Sequence, residues 1–181
     1  MERRSAIPVV FDTLVKWKTT AMLADEIYAI CQRLIRGMPQ MAVQVKRQHV
    51  ENQDGEEIKI IPQNSDCAPV YIRPMADWIY VLLGRNTSEE IFIKWHKEQE
   101  ALNRLEKIVR AAIEGSFSED VWTHDGKIVK SLGIIKIDGS MRNIGGFRTF
   151  SNPFRRKERR HYDYAPYTKG ISHTSCVVQI Q

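Results

Sequence analysis

A chain of 181 residues with 43% hydrophobic content can build one substantial core. Its longest apolar run after the start, Trp78 to Leu83, falls far below the roughly 20 residues that cross a bilayer, so no membrane span is expected. The net charge of +5 is uneven: residues 1–141 carry 19 Lys/Arg against 20 Asp/Glu and residues 142–181 carry 8 against 2, so attraction to an anionic partner should act through the C-terminal end.

The opening residues, with only Ala6 to Phe11 apolar or proline before Asp12, lack a signal peptide's apolar region, and a cytoplasmic location is the expectation. From Phe11 to Arg36 apolar residues recur at helical steps through Leu14, Val15, Leu23, Ile27, Ile30, Cys31, Leu34 and Ile35, and Gly37 with Pro39 stops the pattern. Thr19 and Thr20 weaken its middle, leaving open a split into two shorter helices. Met41, Val43 and Val45 then alternate with polar residues, and Ile58, Ile60 and Ile61 follow the turn dipeptide Asp54-Gly55, which predicts a β-hairpin. Two short strands are predicted around Val70 to Arg73 and Trp78 to Leu83, punctuated by Pro74 and Asp77.

Thr87 or Ser88, followed by Glu89 and Glu90, has the pattern of a helix N-cap with acids in the first turn. That predicts a helix from Ser88 to about Glu114, closed by Gly115, with Trp95, Leu102, Leu105 and Val109 on its apolar side. The row Ile91, Trp95, Glu98, Leu102, Leu105, Val109, Ala112 also steps like a heptad, so a dimer through the 88–114 helix stays open, although Glu98 and the short row favour core packing. Val121 to Thr123 and Lys127 to Ile137 flank His124-Asp125-Gly126, and Asp138-Gly139 precedes Met141 to Gly146, which reads as a β-meander. The expected fold class is α+β, a mostly antiparallel sheet of about six to seven strands with two principal helices in the order α-β-β-β-β-α-β-β-β. Residues 1–146 form the expected globular domain, and residues 147–181 a basic, aromatic-rich segment packed on it or extending from it.

That segment carries the one conspicuous functional signal. Arg148, Arg155, Arg156, Lys157, Arg159 and Arg160 are candidates for contacting an anionic partner, and Phe150, Phe154, Tyr162 and Tyr164 for anchoring the segment or stacking on bases. Alternation would put charge on both sides of residues 155–160, so they should form an edge strand, a loop or an arm with the cations in solvent.

Searches for chemistry give little. His173 and Cys176 offer two ligand types without a second pair, so no metal and no cofactor are expected, and three widely spaced cysteines, Cys31, Cys67 and Cys176, predict no disulfide. No nucleophile or phosphate-loop motif occurs, no catalytic residue is assigned, and Glu119, Asp120 and Asp125 read as exposed turn acids. Three readings remain: a non-catalytic protein that binds another protein, as an inhibitor, adaptor or toxin-neutralising protein does; a nucleic-acid-binding accessory protein using the basic segment; and an enzyme without a linear motif. The first leads, because four tryptophans and six tyrosines supply the residue types that anchor protein interfaces.

Overall fold

A computed structural model of the chain describes residues 8–39, 42–50, 55–93, 98–146, 148–149 and 157–169. Among these residues it has two helices and nine strands, an α+β fold in the expected order, with the antiparallel strands divided between a five-stranded and a four-stranded sheet where one sheet of about six to seven strands was expected. No helix among these residues is long and apolar enough to cross a membrane.

Helix α1, Pro8–Leu34, runs unbroken through Thr19 and Thr20. Strands β1 (Val43–His49), β2 (Glu56–Pro62), β3 (Val70–Pro74), β4 (Trp78–Leu83) and β5 (Thr87–Phe92) follow as a meander, each pairing with the next. Period-two alternation gives this sheet an inner face of Ile58, Ile60, Val70, Ile72, Ile79, Val81 and Leu83, all buried. Leu23, Ile27, Ile30 and Cys31, on one side of α1, join them in a single core.

Helix α2 is Glu98–Ile113, and the expectation of a helix from Ser88 to Glu114 is corrected at its start. Residues 87–92 are strand β5, paired with β4 from Leu83↔Thr87 to Trp78↔Phe92. Sheet pairing overrides the local cap pattern here because Thr87, Glu89 and Ile91 point inward while Ser88, Glu90 and Phe92 point outward, a strand period and not a helical one. Glu98 and Glu100 supply the first-turn acids instead, and the helix stops before Gly115 as expected. Leu102, Leu105, Val109 and Ala112 are buried in the same core, which removes the apolar seam a dimer through this helix would need; Trp95 lies outside the described residues.

The second sheet holds β6 (Phe117–His124), β7 (Lys127–Ile137), β8 (Ser140–Ile144) and β9 (Glu158–Asp163) in the order β8-β7-β6-β9. The two Asp-Gly turns predicted for this sheet are present, with φ of 50° and 73° at Asp125-Gly126 and 51° and 78° at Asp138-Gly139, whereas Asp54 of the third lies outside the described residues. Two consecutive positive φ values match the twist of a tight hairpin. Strand β9 pairs with β6 from Ser118↔Asp163 to Thr123↔Glu158 and is an edge strand. The chain then turns into the core: Tyr164 and Tyr167 are buried, Ala165 N–H donates to the Asp66 carbonyl (2.9 Å) and Tyr167 N–H to the Ile113 carbonyl (2.9 Å).

The two sheets meet at the β4–β5 turn. Glu119, fully buried on β6, accepts from the Arg85 N–H (2.7 Å), the Asn86 N–H (3.3 Å), the Thr87 hydroxyl (3.0 Å) and the Tyr164 hydroxyl. Four donors on one carboxylate satisfy what burial would otherwise make very unfavourable. The sheets also touch where Gly146 N–H donates to the Ser88 carbonyl (3.0 Å), and a Cβ on neighbouring Gly145 would come within 1.7 Å of that same oxygen.

Candidate functional site

Each sheet turns its inner face to the helices and leaves an outer face with distinct chemistry. On the five-stranded sheet, directly opposite residues share a face, so the pairing places Phe92 beside Trp78, Glu90 beside Tyr80 and Arg73, and Leu82 beside Tyr71 and Lys59. Together with Met75, Glu57, Val50 and Gly55, these residues other than Phe92 line a concavity of about 880 Å³. Phe92 stands at its margin, 63% exposed, with its ring 6.4 Å from that of Trp78.

The charges that line the concavity are balanced, and exposed Lys46 stands beside it opposite Lys59. Glu57 accepts from Lys59 (2.9 Å) and Arg73 (2.9 Å), and Lys59 lies 5.6 Å from the centre of the Tyr71 ring. Burial pushes the Glu57 carboxyl up, but the hydrogen bonds from Lys59 and Arg73 outweigh it and hold the group below the ordinary carboxylate value. The lining therefore has two acids, Glu57 and Glu90, against two bases, Lys59 and Arg73.

The outer face of the four-stranded sheet is cationic. Register sets Arg148 opposite Lys130, Lys130 opposite Trp122 and Trp122 opposite Arg159, a row that crosses β7, β6 and β9. Lys130 lies 4.1 Å and Arg159 5.5 Å from the centre of the Trp122 ring. Two pairs further along, on the same face, Asp120 faces His161; its carboxylate, 4% exposed, accepts from Arg159 (2.7 Å) and lies 3.0 Å from His161 Nδ1. The Arg159 hydrogen bond depresses the Asp120 pKa against the opposing effect of burial, with His161 adding to the depression. In turn the Asp120 hydrogen bond raises the His161 pKa, burial opposes it, and Asp163 raises it further.

The basic segment is thus divided by the fold. Arg148 is exposed and Lys157 half-buried, Arg159 points to the outer face, and Arg160 faces the other way, 3.5 Å from Glu158. Tyr162 is half-buried beneath the Arg85 guanidinium, 4.4 Å from its ring centre, whereas Tyr164 is a core residue stacked on Phe117 at 5.2 Å. Phe150, Phe154, Arg155 and Arg156 lie outside the described residues, as do His173 and Cys176.

Sequence reasoning missed Glu119 and Asp120. Their local pattern reads as exposed turn acids, yet they sit in the middle of β6 at 0% and 3% exposure. The strand begins at Phe117 and not at Val121, and their partners, Tyr164 and Arg159, lie about forty residues away in sequence. Lys130 and Trp122 were also missed, because only the sheet register reveals that they share a row with Arg148 and Arg159.

Cys31, Cys67 and His161 are engaged structurally. Burial lifts the Cys31 thiol to about 12, far from the thiolate range of a nucleophile, and also raises Cys67. Both nitrogens of His161 face carboxylates, Nδ1 toward Asp120 and Nε2 toward Asp163 at 3.1 Å, so neither is turned toward a reacting group. Among the described residues no cluster of three or more His, Cys, Asp or Glu has metal-site geometry. Comparison of the chain with protein-family models, with curated proteins and with solved structures gives no match.

Proposed function

We propose that this is a non-catalytic binding protein that recognises another protein through the outer face of its five-stranded sheet. The concavity of about 880 Å³ lined by Tyr71, Trp78, Tyr80, Leu82 and Arg73 is the observation that carries this reading. Trp, Tyr and Arg are the residues that dominate binding energy at protein interfaces, and here they converge on rigid strands instead of loops. Strand placement limits the side-chain ordering that binding must otherwise supply.

Charge selects the class of partner. Two acids offset two bases in the lining, so the concavity itself does not attract a polyanion, and a protein surface of mixed charge with an apolar tip is its complement. Phe92 at the margin extends the apolar contact beyond the concavity. An inhibitor, adaptor or toxin-neutralising role would each use such a face. The experiment is capture of a protein partner from nuclease-treated lysate of the source organism, compared between the native chain and a Tyr80→Ser/Phe92→Ser variant.

A further inference from the structure

The four-stranded sheet presents the opposite electrostatic character; Arg159 in its cationic row covers Asp120, whereas among the described residues Lys130 and Arg148 pair with no acid on this face. Arg148, Lys130 and Arg159 reach one face from three different chain segments. Of the acids on this face, Asp120 is covered and already bound by Arg159 and His161, and exposed Asp163, further along β9, lies 3.1 Å from His161 Nε2. Adjacent strands lie about 4.8 Å apart, which places Lys130 about 5 Å from Arg148 and about 10 Å from Arg159 along the row. Cations spread over that distance meet successive phosphates of one extended backbone better than they meet a single small anion. Between them stands Trp122, half-buried, with Lys130 resting 4.1 Å from its ring centre, so that a base meets the ring as Lys130 moves to a phosphate; half-buried Leu132 pairs with Asp120 on the same face. An aromatic and apolar floor between cations has no use for a bare polyanion, but it is what unpaired bases rest on.

We infer that the outer face of the four-stranded sheet binds single-stranded nucleic acid, with Arg148, Lys130 and Arg159 on the phosphates and Trp122 against a base. The site is independent of the protein-binding concavity, which lies on the other sheet. Paired strands present their bases only at groove edges, so duplex should bind more weakly than a single strand of the same length.

The test is fluorescence anisotropy with a labelled single-stranded oligonucleotide of about 12 nucleotides, over a salt series. Native protein should bind with a log–log salt slope of about −2 or steeper, since each phosphate contact on a single strand contributes about −0.7. Lys130→Ser/Arg148→Ser should weaken binding at least about tenfold at low salt and make the slope shallower by about 1.4, with an unchanged thermal midpoint. Arg159 is left in place because it covers Asp120. Trp122→Leu should weaken binding without changing the slope, and heparin should compete poorly. Absence of binding at low salt, full binding by Lys130→Ser/Arg148→Ser, or preference for heparin or an acidic protein over the oligonucleotide each overturns the inference.

Discussion

The hydroxyl of Tyr164 donates its hydrogen bond to the fully buried carboxylate of Glu119, forty-five residues earlier in the chain. This contact ties the end of the edge strand β9 to the β4–β5 turn through β6, so a residue of the basic, aromatic-rich segment helps join the two sheets. Burial and the Glu119 carboxylate both raise the Tyr164 pKa, which keeps the hydroxyl protonated as a donor. Tyr164→Phe should lower stability by about 1.5–3 kcal/mol, the range for a hydrogen bond to a charged group. Glu119→Leu should cost more, because it strands several donors at once. Urea unfolding checks both, and a loss under about 0.5 kcal/mol for Tyr164→Phe would show that the contact is dispensable.

Leu105, fully buried between α2 and the sheets, tests the packing of the second helix. Leu105→Ala should destabilise by about 2–5 kcal/mol, through lost transfer energy and the cavity left behind. Equilibrium denaturation that shows almost no change would place the side chain at a surface and revive the dimer seam.

The contact between β9 and β6 should depend on pH in two directions. His161 has a folded pKa above its ordinary 6.5, so its contribution is complete below about that pH and is lost as pH rises through the folded value. Asp120 has a folded pKa below its ordinary 3.8, so its contribution is present above that value and disappears as pH falls through the folded one. The attachment of β9 is therefore strongest between about pH 4 and 6.5. An NMR titration of the His161 ring should give a pKa above 6.5 that falls on Asp120→Asn, and an unshifted value in the native chain would contradict the geometry.

The arginines of the basic segment do not behave alike where they can be described. Arg160 is exposed and pairs with exposed Glu158, so Arg160→Ser should change stability by within about 0.5 kcal/mol. Arg159 covers Asp120, whose carboxylate is 4% exposed, so Arg159→Ser should be the more destabilising of the two. Equal thermal midpoints for both variants would mean the ion pair contributes nothing.

Much of this fold is legible locally. Asp125-Gly126 and Asp138-Gly139 announce their hairpins because tight turns need positive φ, and Leu23, Ile27 and Ile30 reveal their helix by spacing alone. What fails is local evidence that a distant partner overrules. Thr87 to Glu90 has the pattern of a helix start, but pairing with β4 makes it a strand, and Arg104 on α2 neutralises the inward-facing Glu89. Glu119 and Asp120 look like surface acids until Tyr164 and Arg159 are brought to them. The candidate surfaces follow the same division: the abundance of Trp, Tyr and Arg is visible in the sequence, whereas their convergence on one sheet face depends on register.

The most direct test of the protein-binding account measures partner capture from nuclease-treated lysate by three forms of the chain: native, Tyr80→Ser/Phe92→Ser, and Lys130→Ser/Arg148→Ser. The account predicts that native protein and the Lys130→Ser/Arg148→Ser form retain the same protein partner in stoichiometric amount. It predicts that Tyr80→Ser/Phe92→Ser, with an unchanged thermal midpoint, binds that partner at least about tenfold more weakly. Equal capture by all three forms, or a partner that vanishes on nuclease treatment, would contradict it.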